Sequence, residues 1–129
     1  MSYATVALRA VELADSKKIS PVEAWERCVK NEFPDLPSSQ NKGCPKNTFL
    51  GLREEGLIKG IPIGKYTRSL NNKRYALNAL KILASNKKNV LVPSELWIEV
   101  LKLEADKNKK SNSQMNVVLA LWEKGIINI

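Results

Sequence analysis

The sequence predicts a mainly α-helical fold in which two tandem pseudo-repeated three-helix units pack as one compact domain. Three observations support this prediction: sequence blocks recur in the second half, apolar residues recur at helical spacing, and helix start and stop signals occur at matching places. The first unit covers residues 1–66 and the second covers residues 67–129. Short strands are expected at 57–61 and 126–129.

The two halves match in three blocks that follow the same order. A shift of 72 residues gives the first two matches: four of six positions are identical in one, and Pro, Glu and Trp coincide in the other. A shift of 69 residues gives the third match, with six of twelve positions identical. The matched segments are 3–8 with 75–80, 20–25 with 92–97, and 47–58 with 116–127. Three matches in one order favour an internal duplication.

The second block of each half begins with signals for the start of a helix. Ser20, Pro21 and Glu23 have the spacing of a capping box, in which the serine accepts a hydrogen bond from the third helical amide. Proline suits the first helical position because the amide hydrogen that it lacks would have no partner within the helix. In the second half Val92 replaces the serine, so we expect a weaker cap before Pro93.

The third block of each half ends at a glycine that is followed by apolar residues. Gly56 and Gly125 can adopt the left-handed conformation, and the apolar residue after each glycine then folds back on the helix, as in a Schellman motif. The segments 57–61 and 126–129 come next, and the duplication makes them equivalent. We expect them to pair as short strands, or at least to pack together, near a pseudo-twofold axis.

Three helices followed by a turn and a short strand also resemble a winged-helix unit in topology. In such a unit the beginning of the third helix faces a nucleic-acid groove, where asparagine can read the edge of adenine. The residues at these places are Lys46, Asn47 and Thr48 in the first unit and Gln114, Met115 and Asn116 in the second. The simpler interpretation is that Asn47 and Asn116 are helix caps.

Several kinds of chemistry lack the residues that they need. The chain has no histidine, so the usual general base and the commonest metal ligand are missing. Its two cysteines, Cys28 and Cys44, are too few for a zinc site, and we expect both to be reduced. We therefore expect no catalytic site, no metal site and no cofactor. An enzyme that uses lysine or carboxylate chemistry is an alternative that no residue locates.

The sequence contains no candidate for a membrane anchor. No segment approaches the roughly 18 consecutive apolar residues that a membrane span requires. The amino-terminal segment carries Arg9 and Glu12 within its apolar stretch and lacks the order of a secretory signal. We expect a cytoplasmic protein without a membrane partner.

The positive charge is concentrated in the middle of the chain. Residues 41–90 carry eleven Lys and Arg against two Asp and Glu, a net charge of +9, whereas 1–40 carry −1 and 91–129 are neutral. Contacts with a phosphate backbone require a basic surface of this kind. The candidate nucleic-acid surface spans 42–88, with the site residues Lys42, Lys46, Asn47, Lys59, Lys65, Tyr66, Arg68, Lys73 and Arg74. The simpler alternative is a solvated basic loop at 60–69.

The middle of the chain also resembles a known group of sequences. The run from Phe49 to Pro62, continued by Gly64–Ser69 and by Asn72–Leu77, is similar to a small uncharacterised bacterial protein family of unknown function. This resemblance implies a bacterial origin. It implies no activity, no cofactor and no site residues.

Two hypotheses about function remain open. The first is a non-enzymatic protein that binds DNA or RNA through the basic surface of residues 42–88. The second is a protein-protein interaction or assembly module, in which the basic surface contacts an acidic protein or has no role. Residues 91–129 are neutral overall and include the third helix of the second unit, so a basic third helix is absent there, which argues against the first hypothesis.

Overall fold

The apolar repeats and helix-start signals produce helices in both halves of the chain. The computed structural model describes residues 2–58, 69–85 and 91–127, which are mainly helical and contain no sheet. The helices of these residues are α1 (Tyr3–Lys17), α2 (Pro21–Glu32), α3 (Pro37–Gln40), α4 (Gly43–Glu54), α5 (Leu70–Ser85), α6 (Pro93–Leu101) and α7 (Gln114–Glu123). The predicted mainly α-helical class is confirmed.

The starts of α2 and α6 differ in which hydrogen bond of the predicted capping box they form. Before α2, the Ser20 hydroxyl accepts a hydrogen bond from the Glu23 amide at 3.2 Å. Before α6, Val92 has no side-chain acceptor, but its own amide donates to the Glu95 carboxylate at 3.1 Å. Each start therefore keeps one of the two hydrogen bonds of a capping box, and the weaker cap predicted at Val92 is explained by the missing hydroxyl.

The two predicted glycine stops have the geometry of a Schellman motif. Gly56 and Gly125 have φ angles of 69° and 70°. After α4, the Leu57 amide donates to the Leu52 carbonyl at 3.1 Å; after α7, the Ile126 amide donates to the Leu121 carbonyl at 3.2 Å. These bonds satisfy carbonyls that the helix ends would otherwise leave without partners.

The beginnings of α4 and α7 differ from the prediction. These helices start at Gly43 and Gln114, so Asn47 and Asn116 lie inside the helices and are not caps. The cap positions are occupied by Lys42 and Ser113, and neither makes a side-chain capping hydrogen bond. The loop before α4 contains the short helix α3, which the prediction of three helices in the first unit did not include.

Among the described residues, the two segments predicted to be strands are joined by a single β-bridge. Ile58 and Ile127 form an isolated antiparallel bridge, so the expected meeting of segments 57–61 and 126–129 occurs at this pair. Neither segment forms a strand where it is described, and residues 59–61 and 128–129 lie outside the described residues. The single bridge does not amount to the hairpin of a winged-helix unit.

The helices share one core that draws on both halves of the sequence. Helix α1 packs on α2 and α7, whereas α4 packs on α5 and α7. The last helix of each half therefore contacts the first helix of the other half. Aromatic pairs contribute to this core in each half, with ring centroids 5.1 Å apart for Trp25 and Phe49 and 5.2 Å apart for Tyr75 and Trp97.

Helices α4 and α5 approach closely at Gly51. A Cβ atom added to Gly51 would lie 2.9 Å from the Cβ of Lys73 and 3.0 Å from its Cα. A side chain at residue 51 would therefore force the two helix backbones apart, because the obstructing atoms include the backbone of α5. The missing side chain of Gly51 allows the carboxyl end of α4 to lie against the beginning of α5.

We expect Gly51→Ala to lower the free energy of unfolding by about 1 kcal/mol. Overpacking costs about 1–3 kcal/mol, which exceeds the gain of roughly 1 kcal/mol from replacing glycine by alanine in a helix. Gly43→Ala in the same helix is the control, because its added Cβ would lie 3.6 Å from the Asn47 side chain, an ordinary contact. Urea denaturation measures both changes. A Gly51→Ala protein as stable as the control contradicts the close approach.

Candidate nucleic-acid interface

Five of the nine predicted site residues lie in the part of the chain that the structure describes. Lys59, Lys65, Tyr66 and Arg68 lie outside the described residues. The others lie at two places, the beginning of α4 and the beginning of α5. Those five residues are Lys42, Lys46, Asn47, Lys73 and Arg74.

The lysines at the beginning of α4 are accessible from solvent. Lys42 is exposed, and its Nζ lies 5.9 Å from the centroid of the Tyr3 ring. Lys46 is half-buried, and its Nζ lies 3.4 Å from a carboxylate oxygen of Glu26. An exposed pair of this kind contributes little to stability, so an incoming phosphate can compete for Lys46. Asn47, one turn after the start of α4, is half-buried.

Lys73 is held between two carboxylates at the end of α4. Its Nζ lies 2.8 Å from Glu54 and 2.5 Å from Glu55, and 17% of its side chain is exposed. Hydrogen bonds to Glu54 and then to Glu55 raise the pKa of Lys73 above its ordinary value. The charge of Lys73 is therefore compensated within the protein. Its ion pairs join α4 to α5.

Arg74 makes a two-pronged contact with Glu104, in the turn after α6. Its Nε and Nη2 donate to the two carboxylate oxygens of Glu104 at 3.0 and 2.6 Å. The Glu104 side chain is only 6% exposed, whereas that of Arg74 is 49% exposed. The Arg74 hydrogen bonds lower the pKa of Glu104, and the same bonds raise the pKa of Arg74. Lys73 and Arg74, adjacent in sequence, thus bind carboxylates of two different elements.

A cavity of about 260 Å³ lies beside the beginning of α4. One face of α2, the end of α3 and the first turns of α4 form its walls. The lining residues are Trp25, Glu26, Val29, Lys30, Gln40, Asn41 and Lys46. Trp25 is fully buried, and its indole Nε1 has no hydrogen-bond partner. An unpaired buried donor costs about 1–3 kcal/mol.

Nothing in the sequence marks this cavity. Trp25 corresponds to Trp97 under the shift of 72 residues, which is typical of a shared structural position, and Lys30 lies outside the basic residues 41–90. The spacing of Trp25, Glu26, Val29 and Lys30 does place them on one helix face. The partner elements that close the cavity, however, include α3, which the sequence did not predict.

Neither cysteine forms a disulfide or joins a metal site. Cys28 and Cys44 are free cysteines. Burial raises the pKa of the Cys28 thiol, which disfavours the reactive thiolate. Among the described residues, no group of three or more Cys, Asp or Glu is placed to hold a metal ion.

None of the described helices is both long enough and apolar enough to cross a membrane.

We expect Glu104→Gln to lower the free energy of unfolding by about 1–2 kcal/mol at neutral pH. The variant loses a charge-assisted contact, and the half-exposed guanidinium of Arg74 limits the loss. Because the pKa of Glu104 is lowered in the folded protein, its contribution is present above the ordinary Glu pKa and disappears as the pH falls through the lowered value. Urea unfolding at several pH values measures whether the free energies of unfolding of the wild type and the variant become equal as the pH falls.

The control for this experiment is Glu123→Gln, at an exposed residue near the end of α7. It removes the same charge without removing the contact to Arg74. If both variants lose the same stability at neutral pH, the Arg74–Glu104 contact does not stabilise the fold.

The comparisons with known proteins identify a family but no activity. The search of the curated proteins and the search of the solved structures each found no match. One family model, described as a family of unknown function (DUF6979), matches residues 1–128. This match confirms the resemblance to a family of unknown function, whereas the bacterial origin stays a prediction. The chain belongs to the DUF6979 family of unknown function.

Proposed function

We propose that the protein is a cytoplasmic, non-enzymatic nucleic-acid-binding protein that contacts phosphates through the basic surface of residues 42–88. The observation that carries this proposal is a long segment without acidic residues. No Asp or Glu occurs between Glu55 and Glu95, and this segment contains eight Lys and Arg. A basic segment that has no carboxylates of its own favours binding to a polyanion.

The ion pairs of α5 divide these eight cations into two groups. Lys73 and Arg74 bind carboxylates that lie outside the acid-free segment, so we expect their role to be mainly structural. The other six are Lys59, Lys65, Arg68, Lys81, Lys87 and Lys88. Lys81 is exposed on α5. In sequence, the remaining five precede and follow this 16-residue helix, which is about 24 Å long.

The lysines at the beginning of α4 extend the proposed surface. Lys42 has no carboxylate partner among the described residues, and Lys46 has only the exposed contact to Glu26. Their charges are therefore accessible to a phosphate group.

We propose further that the two halves are duplicated units with a winged-helix-like order of elements. The matching conformations of Gly56 and Gly125 support a duplication, as does the bridge between Ile58 and Ile127, which correspond under the same shift of 69 residues. The last helix of each half packs on the first helix of the other half, α4 on α5 and α7 on α1, which also fits a pseudo-twofold relation. The excess of cations lies within residues 41–90, at the end of the first unit and the beginning of the second, so we expect one asymmetric binding face.

We expect Lys65→Glu/Arg68→Glu to weaken binding to generic duplex and single-stranded DNA and RNA by about tenfold or more. Each phosphate contact contributes to affinity by releasing counterions, so binding should also weaken as salt rises. Fluorescence anisotropy at two salt concentrations measures both effects. A protein without detectable binding to any of these nucleic acids at low salt contradicts the proposal.

Lys17→Glu/Lys18→Glu is the matched control because it makes the same change of net charge at two exposed residues near the end of α1. We expect it to weaken binding less than the charge reversal at residues 65 and 68. Equal weakening by both variants would mean that net charge, and not the proposed surface, determines binding.

A second candidate function, a protein-protein interaction module, is favoured by the surface around α6. Val92, Ile98 and Leu103 are 50%, 56% and 59% exposed. Under the shift of 72 residues, the first half has Ser20, Glu26 and Asn31 at these positions. If nucleic acid does not bind, Ile98→Glu is the next variant, and a change in its association state measured by light scattering would support this function.

A further inference from the structure

The walls of the cavity beside α4 offer more hydrogen-bond donors than they use. Lys30 and Lys46 contribute two ammonium groups, whereas Glu26 contributes one carboxylate, which already contacts Lys46 at 3.4 Å. Gln40 donates its side-chain amide to the Phe33 carbonyl at 2.8 Å. The balance of charge in the cavity is positive, so a ligand that fits it should be an anion with several acceptor oxygens.

The start of helix α4 adds to this positive environment. Asn41 and Lys46, which lie before and after the first residues of α4, both line the cavity. The cap residue Lys42 makes no side-chain capping hydrogen bond to this 12-residue helix. The amides of the first turn and the helix dipole favour an anion at such an end.

Trp25 gives independent evidence for a missing acceptor. It lines the same cavity, it is fully buried, and its indole N–H has no hydrogen-bond partner. Buried donors in proteins are nearly always paired, and tryptophan N–H can only donate. A ligand oxygen that reaches the indole N–H would supply the acceptor that this group lacks.

We propose that this cavity binds a phosphate group, held by Lys30, Lys46 and the Trp25 indole at the beginning of α4. The volume of about 260 Å³ equals that of about nine water molecules at roughly 30 Å³ each. It lies below the usual range for drug-sized ligands, about 300–1,000 Å³. The site therefore takes a phosphate group with few further atoms, either from a small phosphorylated molecule or from a nucleic-acid backbone. Only the second source rests on the proposed function.

The test is a titration of the ¹⁵N-labelled full chain followed by the assigned indole ¹H–¹⁵N signals of its three tryptophans. Inorganic phosphate at constant ionic strength should shift the Trp25 signal to saturation and leave the signals of Trp97 and Trp122 unchanged. Lys46→Gln should weaken this binding by about tenfold, the expected loss for one charge-assisted hydrogen bond. Lys17→Gln, at an exposed residue of α1, is the control and should bind phosphate like the wild type.

A short oligonucleotide in a second titration distinguishes the two sources. A shift of the Trp25 signal by both ligands supports a site for backbone phosphate, and a shift by inorganic phosphate alone supports a site for a small phosphorylated molecule. If neither ligand shifts the signal, or if chloride shifts it equally, the phosphate site is wrong. Oligonucleotide binding measured by anisotropy would still test the proposed function separately.

Discussion

The compensation of positive charge at the beginning of α5 is the constraint that links this helix to both halves of the chain. Lys73 contacts Glu54 and Glu55 at the end of α4, and the next residue, Arg74, contacts Glu104 after α6. Two neighbouring cations thus join α5 to elements from both halves of the chain. The absent side chain of residue 51 in α4 brings the helices close enough for the first of these contacts.

This constraint also separates structural cations from those available to a ligand. Charge that is paired with a half-buried or buried carboxylate is costly to remove from its partner, whereas exposed lysines retain their hydration and can exchange it for a phosphate. The acid-free segment between Glu55 and Glu95 supplies more cations than the carboxylates around α5 compensate. The lysines beside the cavity of α4 are a second accessible group. Both groups favour anions, which is why phosphate is the common element of the two proposals.

Features set by neighbouring residues could be predicted from the sequence, and features set by distant residues could not. The stops at Gly56 and Gly125 follow from local backbone geometry, and the cap at Ser20 from a local hydrogen bond. The sequence predicts too late a start for α4, because Lys42 gives no capping signal. The pairing of Arg74 with a carboxylate 30 residues away cannot be seen in a count of charges, so the sequence assigned this residue to the binding surface.

The most direct test separates the cations with a structural role from the cations that bind phosphate. It measures how binding to duplex DNA depends on salt concentration in two variants, each with two cations replaced by neutral glutamine. Each phosphate contact adds about 0.9 to the magnitude of the slope of log affinity against log salt. Lys65→Gln/Arg68→Gln should reduce that magnitude by about 1.8, the value for two lost contacts. Lys73→Gln/Arg74→Gln, measured where circular dichroism shows it to be folded, should leave the slope unchanged. The opposite result, a slope reduced only by the second variant, contradicts the account.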